Sequence, residues 1–345
     1  MIFSQKILIW YAKNKRTLPW RRTKDPYRIW LSEIMLQQTR VNQGLPYYLR
    51  FTEQFPTVHD LAKASEARIL KLWQGLGYYS RARNLHATAK TIVTDYGGEF
   101  PNTYKELKKL KGVGDYTASA IASICFDRPE PVVDGNVYRV LSRYFGAEIP
   151  SNSTKGVDFF KKLAREVMDE ENIRDYNQAI MEFGAMQCVP KNPNCDVCPL
   201  KNGCVALQKN QVNQLPVKLN KTKVRNRYFN YLVVVDSSNK TVLKQRQGKG
   251  IWRNLWEFPL LETKKKIDQI ELEAGIKDVI HINDSPEIYQ FNTKEIVHKL
   301  SHQHLHTKFW ILKTDTALKE GIHLGTLDQY PVPVLIADFI KTFKI

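Results

Sequence analysis

Residues 110–116 read Leu-Lys-Gly-Val-Gly-Asp-Tyr, and their two glycines separate two predicted helices. The first helix is short and basic, and Asp115 can cap a second helix over residues 116–126, whose alanines and serines allow close packing. Glycine adopts backbone angles that other residues avoid, so consecutive amides can converge on one phosphate at the positive end of the second helix. These amides belong to Gly112, Val113 and Gly114. The stretch predicts a phosphate-binding hairpin, although Gly-Val-Gly between helices can also be a plain tight connection.

A candidate catalytic carboxylate follows the hairpin. Residues 132–136 read Val-Val-Asp-Gly-Asn, and on its own the Asp-Gly pair is an ordinary turn. If the hairpin anchors a phosphate, however, the intervening helix sets the distance from the nucleic-acid backbone to Asp134. That distance puts a carboxylate near the anomeric carbon of an extruded nucleotide, where Asn136 can hold it by hydrogen bonding.

The overall charge favours a polyanionic partner. The 345 residues include 52 Lys and Arg against 35 acidic residues, a formal charge of +17. Nucleic acid is a better match for this charge than an acidic membrane, although a merely soluble basic surface is the alternative. The chain is long enough for two or three domains. No apolar segment is long enough to span a bilayer, and the first residues lack a signal-peptide cleavage site.

A second candidate carboxyl group lies in an apolar predicted helix. The segment over residues 27–38 is apolar nearly all round, and Glu33 is its only acid. Helical spacing places apolar side chains on the same face as Glu33, which would desolvate the carboxyl group and raise its pKa. A neutral carboxyl group can donate a proton. The alternative is a glutamate at the helix edge that points to water.

The rest of the N-terminal half is predicted to be helical, with Pro56 and glycine pairs between the helices. The loop over residues 75–79 carries one apolar and two aromatic side chains. This is the chemistry of a wedge that enters a base stack, although aromatic side chains pack inside proteins more often.

Four cysteines crowd into a short stretch, at Cys188, Cys195, Cys198 and Cys204. This pattern indicates a metal centre rather than a secreted disulfide framework. One long gap followed by two short ones suits a [4Fe–4S] cluster better than zinc, which stays open as the alternative. The fifth, Cys125, lies in an apolar run and is expected to be a buried structural thiol.

The C-terminal third has a different character. Residues 209–227 contain six basic residues and no acidic one, which predicts an extended linker that either lies against DNA or is simply solvated. Beyond it, strands are predicted over residues 228–236, 241–245, 288–291 and 308–312, with a closing helix over residues 331–342. This is a second, α+β domain.

Together these motifs resemble the helix-hairpin-helix DNA glycosylase superfamily, and within it the adenine DNA glycosylase family, over almost the whole chain. The segments that carry the resemblance are residues 18–20, 30–39, 75–81, 112–114 and 133–137 and the four clustered cysteines. The resemblance implies a multidomain protein. It has an all-α helix-hairpin-helix glycosylase domain over residues 1–208, with the hairpin at 110–116 and the iron–sulfur cluster loop at 188–204. A basic linker over residues 209–227 then leads to a C-terminal α+β Nudix-like lesion-recognition domain over residues 228–345.

The resemblance implies excision of adenine mispaired with 8-oxoguanine or guanine in double-stranded DNA. It also implies a [4Fe–4S] cluster at the four clustered cysteines. We expect a monomer that has no membrane partner and is cytoplasmic, associated with the nucleoid through DNA. Glu33 resembles the general acid that protonates the extruded adenine, and Asp134 resembles the ionised group that stabilises or traps the sugar. Tyr116 and Asn136 resemble its supports.

Binding residues are carried over in the same way. The residues that resemble the family's adenine pocket are Arg16, Trp20, Leu36, Val41 and Gln178. Those that resemble the residues entering the duplex around the opposite base are Gln38, Thr39, Leu76 and Tyr78. In the Nudix-like domain, Leu300-Ser301-His302 stands where the family has Phe-Ser-His, so Ser301 and His302 keep the polar contacts of the lesion-reading loop while the aromatic ring is lost.

Two other functions remain as alternatives, an endonuclease III-like pyrimidine glycosylase-lyase and a non-enzymatic iron–sulfur DNA-binding module. In endonuclease III a nucleophilic lysine follows the hairpin, but here Tyr116 occupies that position, so efficient lyase activity is not expected. Lys111 replaces the proline usual in this hairpin. The acidic metal-binding helix of Nudix hydrolases is missing, so nucleotide hydrolysis is not expected.

Overall fold

The computed structural model of the chain describes residues 2–219, 223–282 and 284–343. The chain forms two compact units. The first holds the described residues of Met1–Lys63 and Asn84–Asn220, and the second holds those of Ala64–Arg83 and Lys221–Ile345. Residues 220–222 of the predicted linker lie outside the described residues.

The N-terminal part of the chain is helical, as predicted. The helices are α1 (Phe3–Asn14), α2 (Pro26–Leu36), α3 (Val41–Gln54), α4 (Val58–Lys63), α5 (Glu66–Leu72), α6 (Ser80–Tyr96), α7 (Tyr104–Leu107), α8 (Asp115–Phe126), α9 (Gly135–Phe145), α10 (Thr154–Val167), α11 (Ile173–Met186) and α12 (Val205–Gln208). Short 3-10 turns span Pro19–Arg22 and Lys201–Gly203.

The first unit is organised around α2 and α8, which are buried on nearly all sides. Pro26 occupies the first turn of α2, where its missing N–H costs nothing, and the Asp25 carboxylate caps the helix by accepting from the Tyr27 amide at 2.9 Å. In α8, small residues allow neighbouring helices to approach closely. Both helices therefore lie in the centre of the unit.

One buried amide ties three segments together beside these helices. Asn177 of α11 accepts a hydrogen bond from the Val132 amide at 3.2 Å and donates to Ser123 Oγ and to the Glu130 carbonyl, both at 2.8 Å. Its side chain replaces the backbone partners that the irregular segment before Asp134 lacks. The approach to Asp134 is thereby fixed to α8 and α11.

The hairpin between α7 and α8 differs from the expectation in one respect. Asp115 was predicted to cap α8, but it is the first residue of the helix, and the cap position is Gly114 without a side-chain hydrogen bond. The Asp115 carboxylate instead accepts from Tyr104 Oη and pairs with Lys108 Nζ, both at 2.5 Å. The prediction was wrong because these two donors of the preceding helix hold the carboxylate.

The two hairpin glycines differ in what the fold requires of them. Gly112 has φ +80°, a conformation that disfavours any side chain, and an added Cβ would lie 2.8 Å from Cβ of Asn84. Gly114 has an ordinary extended backbone with φ −89°, and an added Cβ would meet no protein atom within 4 Å among the described residues. Nothing in this part of the fold requires a glycine at 114.

The second unit contains a mixed sheet. Its strands and helices are β1 (Arg225–Asp236), β2 (Lys240–Thr241), β3 (Lys244–Gln245), β4 (Trp256–Glu257), β5 (Leu260–Thr263), α13 (Gln269–Ile276), β6 (Glu287–Gln290), β7 (Ile296–Lys299), β8 (Gln303–Thr314), β9 (Ile322–His323) and α14 (Val334–Thr342), with a 3-10 turn at Leu324–Gln329. The main sheet has the order β5-β1-β8-β6, with β7 also paired to β8. β1 and β8 are parallel, and the other pairs are antiparallel.

Helices cover both faces of this sheet. Leu272 of α13 joins a core with Leu232 and Trp310 on one face, and on the other face the ring of Phe339 from α14 stacks on Phe309 with centroids 4.1 Å apart. Burial of both faces explains why β1 is apolar without alternation from Tyr231 to Val235. The predicted strand over residues 241–245 is split into β2 and β3, and neither β5 nor β7 was predicted.

Residues 64–83 pack within the second unit. Asn254 Nδ2 donates to Glu66 Oε1 at 2.6 Å, Lys71 Nζ donates to the Tyr330 carbonyl at 3.2 Å, and Arg83 donates to the Arg253 carbonyl at 2.9 Å. The loop between α5 and α6 therefore belongs structurally with the C-terminal strands, although it lies in the N-terminal half of the sequence.

The beginning of the predicted linker is held against the first unit. The Leu215 carbonyl accepts from Arg143 Nε at 3.1 Å, the Val217 carbonyl accepts from the Ser151 amide at 3.0 Å, and the Leu219 amide donates to Asn152 at 2.7 Å. The backbone from Leu215 to Leu219 is therefore held by hydrogen bonds to the first unit, although the Leu219 side chain is exposed. In the described part of the chain, no helix combines the length and apolar character needed to cross a membrane.

Candidate active site

A cavity of about 800 Å³ in the first unit lies among the Pro19–Arg22 turn, α2, α8, the start of α9 and α11. It brings together residues that are far apart in the sequence. The predicted site residues that line it are Arg16, Trp20, Glu33, Leu36, Gln38, Thr39, Val41, Tyr116, Asp134, Asn136 and Gln178.

Glu33 lies in a desolvated part of this cavity. Its residue surface is 8% exposed, because the surrounding positions of α2 are apolar. Burial raises the pKa of Glu33 to about 7, and the negative charge of Asp134 acts in the same direction. A hydrogen bond from Tyr116 and the charge of Arg21 oppose this rise. The raised pKa expected from the sequence is thus found, and Glu33 can carry a proton near neutral pH.

Tyr116 lies beside both carboxyl groups. Burial raises the pKa of its phenol, and the charges of Glu33 and Asp134 add to that effect. The phenol therefore stays protonated and donates to Glu33, while its oxygen also lies 3.1 Å from Sδ of Met181. A tyrosine in this state is a hydrogen-bond donor and not a nucleophile.

Asp134 is surrounded by donors. One carboxylate oxygen accepts from the amides of Asn136 and Val137, and the other accepts from Asn136 Nδ2, all at 2.8 Å. Asp134 is the N-cap of α9, so the helix dipole also favours its negative charge. Burial raises the pKa of Asp134, and these hydrogen bonds oppose the rise. The geometry favours the ionised form, because a carboxylate accepts all three bonds.

Asn136 is held in turn by Arg139, which the sequence analysis missed. Arg139 donates to Asn136 Oδ1 at 2.9 Å, to the Cys188 carbonyl at 2.7 Å and to the Gly184 carbonyl at 2.6 Å. A chain of hydrogen bonds therefore runs from Asp134 to the cysteine loop. The i, i+3 spacing from Asn136 was the sequence signal for this contact.

A buried charge cluster forms another wall and was also missed. Glu182 of α11 binds the guanidinium groups of Arg16 and Arg21, and its side chain is 1% exposed. Burial alone would raise the pKa of Glu182, but the hydrogen bonds from the two arginines outweigh it and lower that pKa to about 2. Glu182 could have been identified from the sequence as an acid among apolar residues of a predicted helix, which is the pattern that identified Glu33.

The predicted pocket residues have different exposures. Trp20 is buried and packs edge-on against Tyr48 with ring centroids 5.0 Å apart. Gln178 is buried at the cavity wall, where its amide can both donate and accept. Gln38 is exposed beyond the end of α2, with φ +55°. The cavity thus combines a flat aromatic wall with amide groups, which suits a planar heterocycle.

The four clustered cysteines line a second cavity of about 30 Å³. Arg143 of α9 donates to Cys188 Sγ at 3.4 Å and to the Val189 carbonyl at 2.8 Å. Burial raises the pKa of Cys198 to about 11, and nearby thiolates raise it further. As placed, no three His, Cys, Asp or Glu side chains among the described residues could hold a metal ion.

The residues expected to act around the opposite base are divided between the units, with Gln38 and Thr39 in the first and Leu76 and Tyr78 in the second. The hydroxyl of Tyr78 is hydrogen-bonded to Ser301 Oγ, and both residues are exposed. His302, the next residue in that loop, is also exposed. Leu76 is 4% exposed, and Arg81 binds its carbonyl, so in this loop Tyr78 and not Leu76 is available to a ligand.

Comparisons with known proteins match both parts of the chain. The family model for HhH-GPD superfamily base excision DNA repair protein matches residues 31–159, and the NUDIX domain model matches residues 230–342. A curated adenine DNA glycosylase of Buchnera aphidicola subsp. Baizongia pistaciae is 37% identical over 315 residues, which cover 90% of this chain and 86% of that protein.

Solved structures resemble the helical part. A thermostable thymine-DNA glycosylase is 32% identical with a TM-score of 0.56, covering 60% of this chain and 95% of that one. Endonuclease III in a non-covalent DNA complex has a TM-score of 0.53 at 23% identity, covering 60% of this chain and 94% of that one, and supports the fold alone. The predicted fold class is confirmed, namely a helix-hairpin-helix glycosylase domain and a C-terminal Nudix-like domain.

Gly184 offers a test of how the site is positioned. An added Cβ would lie 2.7 Å from Asn136 Cβ and 2.9 Å from its carbonyl oxygen. Alanine favours a helix by up to about 1 kcal/mol over glycine, but overpacking costs about 1–3 kcal/mol, so we expect Gly184→Ala to lower the free energy of unfolding. Denaturant titration measures this.

The matched control is Gly275→Ala in α13, where the nearest atom is Cδ2 of Leu261 at 2.9 Å. This is the end of a flexible side chain, so this variant should be as stable as the wild type or slightly more stable. If Gly184→Ala is no less stable than the wild type, the close contact does not constrain Asn136.

Proposed function

The chain belongs to the adenine DNA glycosylase family, and from this premise we propose that it hydrolyses the N-glycosidic bond of adenine mispaired with 8-oxoguanine or guanine in double-stranded DNA. The observation that carries the proposal is one cavity that holds two carboxyl groups in opposite environments. Glu33 is desolvated with a pKa of about 7, whereas Asp134 accepts three hydrogen bonds at a helix N-terminus.

These environments suit the two halves of the reaction. Glu33 gives a proton to a ring nitrogen of the extruded adenine, and the C1′–N9 bond breaks with its electron pair going to the base. Asp134 stabilises the positive charge that develops on the sugar. Water then adds to C1′ and loses a proton, which restores the starting protonation of the site. Tyr116 supplies no amine, so no Schiff base forms and the backbone is not cut.

The hairpin supports binding to the DNA backbone. Its amides lie at the N-terminus of α8, and the space beside Gly114 contains no described protein atom. Val113 is buried and anchors the turn, so its contribution to a ligand would be its amide. We propose that a phosphate approaches Gly112 and Gly114 here, as the formal charge of +17 favours.

For the second unit we propose inspection of the base opposite adenine. Tyr78, Ser301 and His302 present an aromatic ring and polar groups at the surface of this unit. An exposed aromatic side chain can stack between bases, and a hydroxyl and an imidazole can read base edges. Leu300 replaces the family's aromatic residue, so discrimination between 8-oxoguanine and guanine rests on Ser301 and His302.

We further propose that Cys188, Cys195, Cys198 and Cys204 hold a [4Fe–4S] cluster. Their convergence on one cavity supports this proposal, as do the buried cation of Arg143 and the partly buried thiols. Burial disfavours free thiolates, so the positive charge of a cluster would offset the cost. When bound, the cluster would tie the loop to α9.

The activity is tested by single-turnover base release. We expect adenine release opposite 8-oxoguanine and opposite guanine, with strand cleavage only after alkali, and loss of release in Glu33→Gln. Because Glu33 must be protonated and its pKa is about 7, the rate should fall about tenfold per pH unit above that value. At low pH, protonation of Asp134 should also slow the reaction.

Other duplexes separate the alternatives. Strand cleavage at thymine glycol without alkali would instead support the lyase class, and release of thymine opposite guanine would point to the chemistry named for the similar thymine-DNA glycosylase. Binding with no release from any duplex would leave a DNA-binding module.

The two hairpin glycines form a matched pair of variants. Gly114→Ala should keep wild-type stability but weaken DNA binding about tenfold, because a methyl group would occupy the space proposed for a phosphate. Gly112→Ala should lower stability by about 1 kcal/mol or more, because of its φ of +80°. Fluorescence anisotropy and thermal melting measure the two effects. Unchanged DNA affinity in Gly114→Ala would contradict the proposed contact.

Metal analysis tests the cluster. Purified protein should contain about four iron and four sulfide per chain with visible absorption, and Cys198→Ser should lose most of this content. Cys125→Ser is the matched control, since Cys125 lies in α8 outside the cysteine loop and should leave iron unchanged. One zinc per chain without sulfide would overturn the assignment.

A further inference from the structure

Three charged side chains meet in the wall of the catalytic cavity. Glu182 accepts two hydrogen bonds from each guanidinium group, at 2.8 and 2.5 Å from Arg16 and at 2.8 and 2.6 Å from Arg21. Arg21 also donates to the Arg16 carbonyl at 3.0 Å. The Arg21 guanidinium is therefore held at three points, which fixes its plane.

This cluster carries a net charge of about +1, since two arginines share one carboxylate. Glu182 stays ionised, because the bonds from its partners outweigh burial and lower its pKa to about 2. Arg21 and Glu182 are sheltered from water, with 14% and 1% of their side chains exposed, whereas Arg16 at the edge of the cluster is 36% exposed. A charge in such surroundings acts over a longer range than a surface charge.

The charge faces the reacting groups. Arg21 and Glu182 line the cavity that also holds Glu33 and Asp134. When Glu33 gives up its proton, this desolvated cavity contains two carboxylates, whereas the base leaves neutral because it has gained that proton together with the electron pair of the broken bond. A nearby cation offsets that accumulation of negative charge and makes the proton transfer more favourable.

Resting on the function proposed above, we propose that Glu182 is a positioning residue for base excision. It holds Arg21 so that a net positive charge faces Glu33 and the departing adenine. Glu182 acts through Arg21. The charge of Arg21 does not give the full rate of base excision unless the guanidinium plane is fixed, and the Glu182 carboxylate has no effect on that rate without Arg21.

Several charged or titratable groups surround Glu33 and enter any pH profile. The groups named in its immediate electrostatic environment or lining the same cavity are Tyr116, Asp134, Arg16, Arg21, Arg40, Arg139 and Glu182. Among the arginines, Arg21 is the one whose charge lowers the pKa of Glu33 against the effect of burial. Removal of Arg21 should therefore raise that pKa.

The test is the pH dependence of single-turnover adenine release with wild type, Arg21→Met and Arg21→Lys. Arg21→Met should be slower by about tenfold to a hundredfold at its optimum, and the alkaline limb of its profile should move to higher pH. Arg21→Lys keeps the charge but not the bidentate geometry, so it should keep the wild-type limb with an intermediate rate. Arg22→Met is the control, since Arg22 is exposed in the same turn and should behave as wild type.

A double-variant cycle isolates the role of Glu182. Glu182→Gln should slow release to a similar extent as Arg21→Met, and the double variant should be no slower than Arg21→Met alone. If the rate of release in the double variant falls by the product of the two single-variant losses, the positioning role is overturned. If Glu182→Gln does not fold, the Arg21→Met profile still decides the proposal, because Glu182 keeps its Arg16 partner there.

Different results would overturn the proposed function and the proposed role of Glu182. No base release by the wild type would overturn the proposed function. If the wild type releases adenine but the alkaline limb of Arg21→Met does not move to higher pH, the role proposed for Glu182 and Arg21 is overturned and the proposed function stands. This holds whether or not Arg21→Met releases adenine more slowly.

Discussion

Two carboxyl groups in one desolvated cavity are the constraint on which the first unit depends. Both cannot be ionised at low cost in such a place, so the fold gives them opposite surroundings. Glu33 projects from α2, whose other side chains are almost all apolar, and Asp134 begins α9, where amides and Asn136 donate to it. Even the buried amide of Asn177, which holds the segment before Asp134, serves this arrangement.

The proposed catalytic residues and most of those proposed to inspect the opposite base lie in different units. The carboxyl groups and the residues around them lie in the first unit, whereas Tyr78 and Ser301 lie in the second. Tyr78 precedes the hairpin in the sequence, yet its loop packs with the C-terminal strands through contacts such as Asn254 with Glu66. A residue expected at the opposite base thus shares a compact unit with the lesion-reading loop. Substitutions at Glu33 and at Tyr78 therefore do not share a core.

Features that depend on neighbouring residues in the sequence were predicted correctly. A lone acid in an apolar helix identified Glu33, and continuous β-branched residues identified β1. The clustered cysteines predicted a metal centre, and their side chains line one cavity. What could not be predicted depends on partners distant in sequence. Glu182 is held by arginines more than 160 residues away, and ion pairs of this kind leave no periodic signal. Asp115 had the composition of a helix cap, but Tyr104 and Lys108 hold its carboxylate instead.

The charge cluster around Glu182 is costly in a way that favours a functional explanation. Desolvating the Arg21 guanidinium group and the Glu182 carboxylate cancels much of their mutual attraction, and apolar residues of similar volume often give equal or greater stability. The cluster is also not neutral, so it cannot be explained as simple pairing. Tyr11, whose ring lies 5.7 Å from the Arg21 guanidinium, shows that apolar surface was available to pack there. A fold that needed only stability would gain little from an unbalanced positive charge at this wall, whereas a reaction that turns Glu33 into a second carboxylate in the same cavity gains directly.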